Sequence, residues 1–268
     1  MSALTFRLKG EPEERIDCSS LVPHHLANFS PAEIARLPVG TTKRGLLVGD
    51  VFEVSRNDAG EIRFEGGSGR LDRIGQAMQG GVIRVAGPAG FRFGRAMTGG
   101  ELHAEGSVGD LCGSAMAGGR ITVGGDCGAR LGGPDAGEMK GMSGGTIHVK
   151  GNAGERAADR MRRGSVLVGG DCGKDAFSRM IAGTVVVKGK AHGVPGRLMK
   201  RGTIVLMGGA ERYAPTFVDA GVHDLLVLKL MAKALGEVFG VVPFDGSPMR
   251  KISGDTAILG LGEIYVPA

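Results

Sequence analysis

Apolar positions in this chain recur in short alternating bursts: Ile83 and Val85, Leu102 and Ala104, Ile121 and Val123, each pair split by one polar residue and fenced by glycine. The stretches AMQGGVIRVAG (77–87), AMTGGELHAEG (96–106) and AMAGGRITVGG (115–125) begin nineteen residues apart. Met78, Met97, Met116, Met142, Met161, Met180 and Met199 anchor seven copies at spacings of 19, 19, 26, 19, 19 and 19. Glycine stands three and nine residues after every anchor, and an aliphatic residue five and seven after it.

Alternation with period two between turn residues predicts a half-buried strand, too short to be stable alone. Nineteen residues cannot hold a TPR or ankyrin helix pair, and the Leu/Asn spacing of leucine-rich repeats is absent. The pattern therefore predicts an all-β fold, a right-handed parallel β-helix: a solenoid of 19-residue coils in which each strand pairs with its equivalent about 4.8 Å away. Met, Ile and Val ladders fill the interior, and glycines take corners where the backbone bends or needs positive φ. GEIRFEGGSG (60–69), with Ile62 and Phe64 inward, adds an earlier coil, and VGDVFEV (48–54) is expected as the first. Nine coils would make a rod of roughly 40 Å. The seven extra residues between Met116 and Met142 map to a loop around LGGPDAGE (131–138), a surface insertion of the kind that marks a contact face.

The flanks predict short helical caps: residues 1–45 at the amino end and 210–268 at the carboxyl end of a β-helix over 46–209. FSPAEIARL (29–37) offers Ser30 as N-cap, Pro31 at N1 and Glu33 at N3, the signature of a capping box. VHDLLVLKLMAKALGEVFG (222–240) is helical in pattern, with Asp224 near its start, and is followed by loops and a final strand. The position six after each anchor should face solvent. It reads Arg84, His103, Thr122 and His148, then Leu167, Val186 and Val205. Three stacked outward aliphatics call for a cover, either the carboxy-terminal helix or a partner protein.

Composition narrows the functional classes. Fifty glycines among 268 residues, with 42% apolar content and no Gly-X-Y triplet, exclude collagen and argue against a disordered linker. A net charge of +5 without a basic run or a nucleic-acid-binding motif argues against nucleic acid and leaves an acidic ligand or partner open. No apolar leader and no stretch approaching eighteen uninterrupted apolar residues is present, so no membrane is expected and the protein is expected in the cytoplasm. Four cysteines fit reduced thiols.

Candidate chemistry is sparse. GGDCGKD (169–175) resembles a phosphate loop, but Val168 stands where its first glycine is needed and Asp175 where magnesium needs Ser or Thr. Cys127 and Cys172 share a column with one coil between them, about 10 Å apart, too far for a disulfide or a shared zinc. Cys18 and Cys112 fall outside that column, and His103 and His148 read as solvent-facing. No carboxylate pair occupies adjacent outward positions, so neither a catalytic nor a metal site is expected in this chain. Arg160, Arg162, Arg163, Arg179, Lys200 and Arg201 fall at one turn of three successive late coils, within a Debye length of one another. Such a ridge suits a carboxylate-rich ligand or an acidic partner; equally it suits a solvated rim.

The Met–Gly–Gly–strand–Gly coil resembles the GXGXG β-helix shared by the C-terminal region of glutamate synthase and the C subunit of formylmethanofuran dehydrogenase. RYAPTF (212–217), the helix after it and GDTAILGLGEIYV (254–266) look like the ending of that protein, and the resemblance covers nearly the whole chain. It implies one of two settings: a molybdenum or tungsten formylmethanofuran dehydrogenase, or a bacterial formyltransferase/hydrolase complex. The latter moves a formyl group from tetrahydromethanopterin to a methanofuran-type carrier and releases formate. Arg outnumbers Lys 22 to 11, pointing to a GC-rich genome and the bacterial version. In either, the resemblance implies a non-catalytic scaffold that binds no cofactor itself. The methanofuran-type carrier and zinc are expected on amidohydrolase-like, dehydrogenase-B-like and formyltransferase partner subunits. The polyglutamate tail of the carrier is a candidate occupant of the basic ridge. A stand-alone β-helix hydrolase or lyase, and a glutamate-synthase-like coupling module, remain the alternatives.

Overall fold

The computed structural model describes residues 3–55 and 60–268. Residues 1 and 2 of the expected amino-terminal cap, and 56–59 of the expected coils, lie outside the described residues. The chain opens with β1 (Leu4–Leu8), β2 (Ile16–Asp17), the short helices α1 (Pro23–Leu26), α2 (Pro31–Ala35) and α3 (Val48–Val51), and β3 (Phe52–Ser55). The repeats follow as β4 (Glu61–Glu65), β5 (Leu71–Asp72), β6 (Val82–Ala86), β7 (Glu101–Ala104), β8 (Arg120–Val123) and β9 (Thr146–Val149). They continue through β10 (Ser165–Val168), β11 (Thr184–Val187) and β12 (Arg201–Leu206). The final elements are β13 (Val218–His223), α4 (Leu226–Phe239), β14 (Met249–Gly254) and β15 (Leu261–Pro267).

The fold is mostly β. One mixed sheet of thirteen strands runs β13-β14-β15-β12-β11-β10-β9-β8-β7-β6-β4-β1-β3. Between β1 and β15 the ladder is parallel throughout, and its register repeats the sequence columns. Ile83 faces Leu102, which faces Ile121, and the series continues through Ile147, Val166, Val185 and Ile204 to Ile264. All are buried, as are the seven anchor methionines. A second parallel ladder links the positions eleven after each anchor: Ala89, Val108, Cys127, Ala153, Cys172, Ala191 and Ala210. Each repeat thus contributes two stacked segments to a shared interior, and no repeat buries its apolar face without its neighbours.

The first rung differs from expectation. VGDVFEV does not start the parallel ladder: residues 48–51 form α3, and β3 pairs antiparallel with β1 at the sheet edge. The rung before β4 is β1, which places Leu4 beside Ile62 and Phe6 beside Phe64. Phe6 and Phe64 stack at 5.1 Å, and Phe52 meets both edge-on at 5.7 and 5.8 Å. Three aromatic rings thereby fill the end of the interior where no further rung supplies side chains.

The α2 capping box is present: the Glu33 amide donates to Ser30 Oγ at 3.3 Å, and the Ser30 amide donates to Glu33 Oε2 at 2.8 Å. Helix α4 starts later than its pattern suggested, because 222 and 223 belong to β13. Asp224 pairs with Lys229 at 2.7 Å, and the helix ends at Gly240 with φ +70°. The segment after α4 holds two strands, and β15 extends the parallel ladder beyond β12. No helix among the described residues is long and apolar enough to cross a membrane.

Candidate functional site

The outward column six after each anchor runs Arg84, His103, Thr122, His148, Leu167, Val186, Val205 in register. Leu167, Val186 and Val205 are fully buried, in a second apolar cluster with Leu228, Ala232 and Leu235 of α4 and with Phe244, Met249 and Tyr265. The chain's own carboxy-terminal elements cover these aliphatics. The cover reaches one rung further than the sequence suggested. His148, read there as solvent-facing, packs edge-on against Phe239 at 5.7 Å. Burial, reinforced by Lys150 and Lys188, holds its imidazole below the usual histidine range.

The six-residue basic ridge divides into two groups. Arg160 and Arg179 sit in a corner where alternate residues are left-handed, Arg156, Ala158 and Arg160 at φ +57°, +52° and +53°, and Asp175, Phe177 and Arg179 at +56°, +63° and +54°. Holding a non-glycine residue there costs about 1 kcal/mol each. Amides from Arg156 and Arg160 donate forward, to the carbonyls of Lys174 and Ser178, which locks the corner to the next rung. Arg179 donates to both carboxylate oxygens of Asp159 at 3.2 and 3.0 Å, and Arg156 donates to Asp159 at 2.5 Å. Asp159 is only 1% exposed. Arg160 turns instead toward the inserted loop, donating to the Glu138 carbonyl at 3.4 Å. Both arginines are therefore engaged within the chain. Asp159 escaped the sequence reading because its column, two before the anchor, also holds Gln76, Arg95, Ser114, Lys140, Ser178 and Arg197 and shows no acidic pattern.

Arg162, Arg163, Lys200 and Arg201 behave differently. With Ile181, Ala182 and Leu259 they line one cleft of about 340 Å³. All four cations are exposed, and among the described residues none forms an ion pair. They occupy the two positions directly after the anchor, where earlier repeats read Gln79-Gly80, Thr98-Gly99, Ala117-Gly118 and Ser143-Gly144. A side chain at Gly99, Gly118 or Gly144 would collide with the carbonyl of Gln79, Thr98 or Ala117 on the preceding rung. The corner changes in the late repeats. The glycine three after the anchor has φ of +82°, +85°, +84° and +81° at Gly81, Gly100, Gly119 and Gly145, then +101°, +111° and +107° at Gly164, Gly183 and Gly202. Arg163, Ala182 and Arg201 carry side chains where the earlier corner admits none. The sequence displayed the cations but not the backbone change that makes room for them. It also missed Leu259 and Leu261, 52% and 57% exposed beside them.

The insertion is a clasp as much as a surface. Residues 131–134 are buried. Asp135 accepts from Arg92 at 2.7 Å, and Glu138 accepts from Arg95 at 2.5 Å. The column ten after the anchor also works internally. Ser107, Asp126, Asn152 and Asp171 each accept the amide of the residue one rung on, from Asp126, Asn152, Asp171 and Lys190, at 2.7–3.0 Å. All four cysteines are buried free thiols. Cys112, outside the column of Cys127, is nonetheless its neighbour across the interior. The neighbouring Cys112 thiol and burial push the Cys127 thiol well above its ordinary value. No group of three or more His, Cys, Asp or Glu with metal-site geometry occurs among the described residues.

No family model matches the chain. A curated relative, the C subunit of the formyltransferase/hydrolase complex Fhc of Methylorubrum extorquens, is 55% identical over 265 residues, covering 98% of this chain and 99% of its own length. Among solved structures, a chain of the X-ray crystal structure of the formyltransferase/hydrolase complex (FhcABCD) from Methylorubrum extorquens in complex with methylofuran superposes with a TM-score of 0.94. That superposition covers 98% of this chain and 99% of that one, and the superposed residues are 42% identical.

Proposed function

Because the chain belongs to the C-subunit family of the formyltransferase/hydrolase complex, we propose that it is the non-catalytic scaffold of such a complex in one-carbon metabolism, working in the cytoplasm. The complex would transfer a formyl group between tetrahydromethanopterin and methanofuran-type carriers and release formate. Its carrier and zinc would be held by amidohydrolase-like, dehydrogenase-B-like and formyltransferase subunits, with this chain as the rigid body against which they assemble. The single observation carrying this reading is the near full-length likeness to the C subunit, in sequence and in fold.

The use of polar groups supports it. Asp126, Asn152 and Asp171 hold rung to rung, Asp159 holds Arg156 and Arg179, and Asp135 and Glu138 hold the insertion. The thiols of Cys18, Cys127 and Cys172 are pushed upward, chiefly by burial for Cys18 and Cys172, which disfavours the nucleophilic thiolate. The architecture fits the same role. We read the parallel ladder with its second stacked column as a right-handed parallel β-helix, a fold whose stiffness suits a body that spaces other subunits.

Tagged chain expressed with the other subunits should co-purify with an amidohydrolase-like protein, and purified alone should show no turnover of a formyl carrier. Turnover by the isolated chain, or recovery with an amidotransferase instead, would sink the scaffold reading.

A further inference from the structure

The cleft of Arg162, Arg163, Lys200 and Arg201 is built in alternating layers. In the two columns after the anchor, one rung carries Arg162 and Arg163, the next Ile181 and Ala182, the next Lys200 and Arg201. Strand β15 continues the series, pairing Leu261 with Arg201 and so placing Gly260-Leu261 as a further apolar rung, with Leu259 on the cleft wall. Two rung steps separate the basic layers, about 10 Å.

Like charges gathered at this spacing, within a Debye length, repel one another unless an anion lies between them. At two other arginine clusters on the repeats the chain supplies that anion itself: Arg92 and Arg95 have Asp135 and Glu138, and Arg156 and Arg179 have Asp159. Here it supplies none among the described residues, although the backbone corner is opened specifically where these side chains emerge. Exposed arginines bordering exposed aliphatics are also the composition of an interface, where arginine anchors and apolar contacts coincide.

We propose that this cleft is the docking site for an acidic segment of a sister subunit. The segment carries carboxylates about 10 Å apart that bridge the two basic layers, with an aliphatic side chain between them on Ile181 and Leu259. The proposal rests on the chain's place as a scaffold in a multi-subunit complex and adds which surface of it makes the contact. A carboxylate-rich small molecule would satisfy the cations but leave Ile181, Leu259 and Leu261 uncovered, so the observations favour a polypeptide.

The test uses the whole complex, co-expressed with wild-type chain or with R162E/R163E/K200E/R201E. The wild-type chain should be recovered with its sister subunits. Recovery of the charge-reversed chain should fall about tenfold or more at ~0.15 M salt, while its own melting temperature stays that of the wild type. A second arm leaves the charges intact: a photo-cross-linking residue replaces Ile181 in the assembled complex. The product should join this chain to a sister-subunit peptide containing at least two Asp or Glu. Undiminished recovery of the charge-reversed chain overturns the proposal. So does a cross-link to the non-protein carrier alone, or the lack of any cross-link in an intact complex. Failure of the wild-type chain to associate at all overturns the scaffold reading itself, which the variant comparison by design does not.

Discussion

Arg92 and Asp135 are forty-three residues apart in sequence and joined at 2.7 Å, Nε to Oδ2. With Arg95 and Glu138 the pair straps the inserted loop back across earlier repeats. Hydrogen bonds from Arg92 hold the Asp135 carboxyl below its ordinary range, and those from Arg95 do the same for Glu138. A carboxylate lowered on folding stabilises the fold above its unfolded value near 4, and the gain is lost as pH falls through the lowered folded value. Replacing Arg92 with Ala should cost roughly 1 kcal/mol, since both partners are partly solvated. Amide exchange over 131–138 should accelerate, and the variant should lose less stability than the wild type as pH falls below about 4. Unchanged exchange in that loop would show that the strap holds nothing.

Asp159 is the buried partner of two arginines. Asp159→Ala strands both cations over a closed corner and should destabilise by about 3 kcal/mol, the lower end for breaking a buried pair because each guanidinium reaches solvent. Asp159→Asn keeps the shape and should cost less. Urea denaturation of the two variants measures the difference.

The corner change between early and late repeats predicts opposite outcomes for similar substitutions. Gly118→Ala drives a methyl group into the Thr98 carbonyl and should cost about 1–3 kcal/mol. Arg163→Ala, at the equivalent position of the opened corner, should stay within about 0.5 kcal/mol of wild type. Thermal melts of both decide it; equal melting temperatures would mean the two corners tolerate side chains alike.

His148 gives a pH signature. Its folded value is lowered while the unfolded value lies near 6.5, so the unfolded chain takes up the proton first, and stability falls as pH drops below about 6.5. His148→Gln should flatten that part of the profile. Melting temperatures compared between about pH 7.5 and 5.5 test it directly.

A charged residue at Ile121 or Val168, both fully buried in the interior ladder, should abolish cooperative folding. It removes about 1.5–3 kcal/mol of aliphatic burial and adds an unpaired interior charge. Circular dichroism of Ile121→Asp, set beside Ile121→Val, measures this.

The ladder was legible because in-register stacking makes each interior column a column of the sequence: Met78 to Met199, and Ile83 to Ile204, can be read down a page. Rungs written in other words were not. LTFRL of β1 lacks the Met-Gly phrase and reveals itself only through Phe6 lying on Phe64, a contact across fifty-eight residues. The ridge was legible as a charge column, but a column fixes only height on the stack. Whether Arg179 turns inward to Asp159 or Arg162 stays free is decided by the handedness of single residues at the corners, a property that arginine, unlike glycine, does not advertise. His148 was misread for a related reason: its exposure depends on where α4 lies across the outward column, which the helix pattern alone does not give.

The antiparallel strand β3 has a consequence for self-association. Every rung from β4 to β12 presents an edge that its own successor fits, so a stack of such rungs has no intrinsic length and could recruit another copy indefinitely. Strand β3 runs against that direction and lies outermost. A further coil running in the repeat's direction would meet β3 antiparallel, outside the parallel register that the ladder propagates. With β14 reversed against β15 at the opposite end, this four-residue strand turns an open-ended stack of nineteen-residue units into a molecule with two ends.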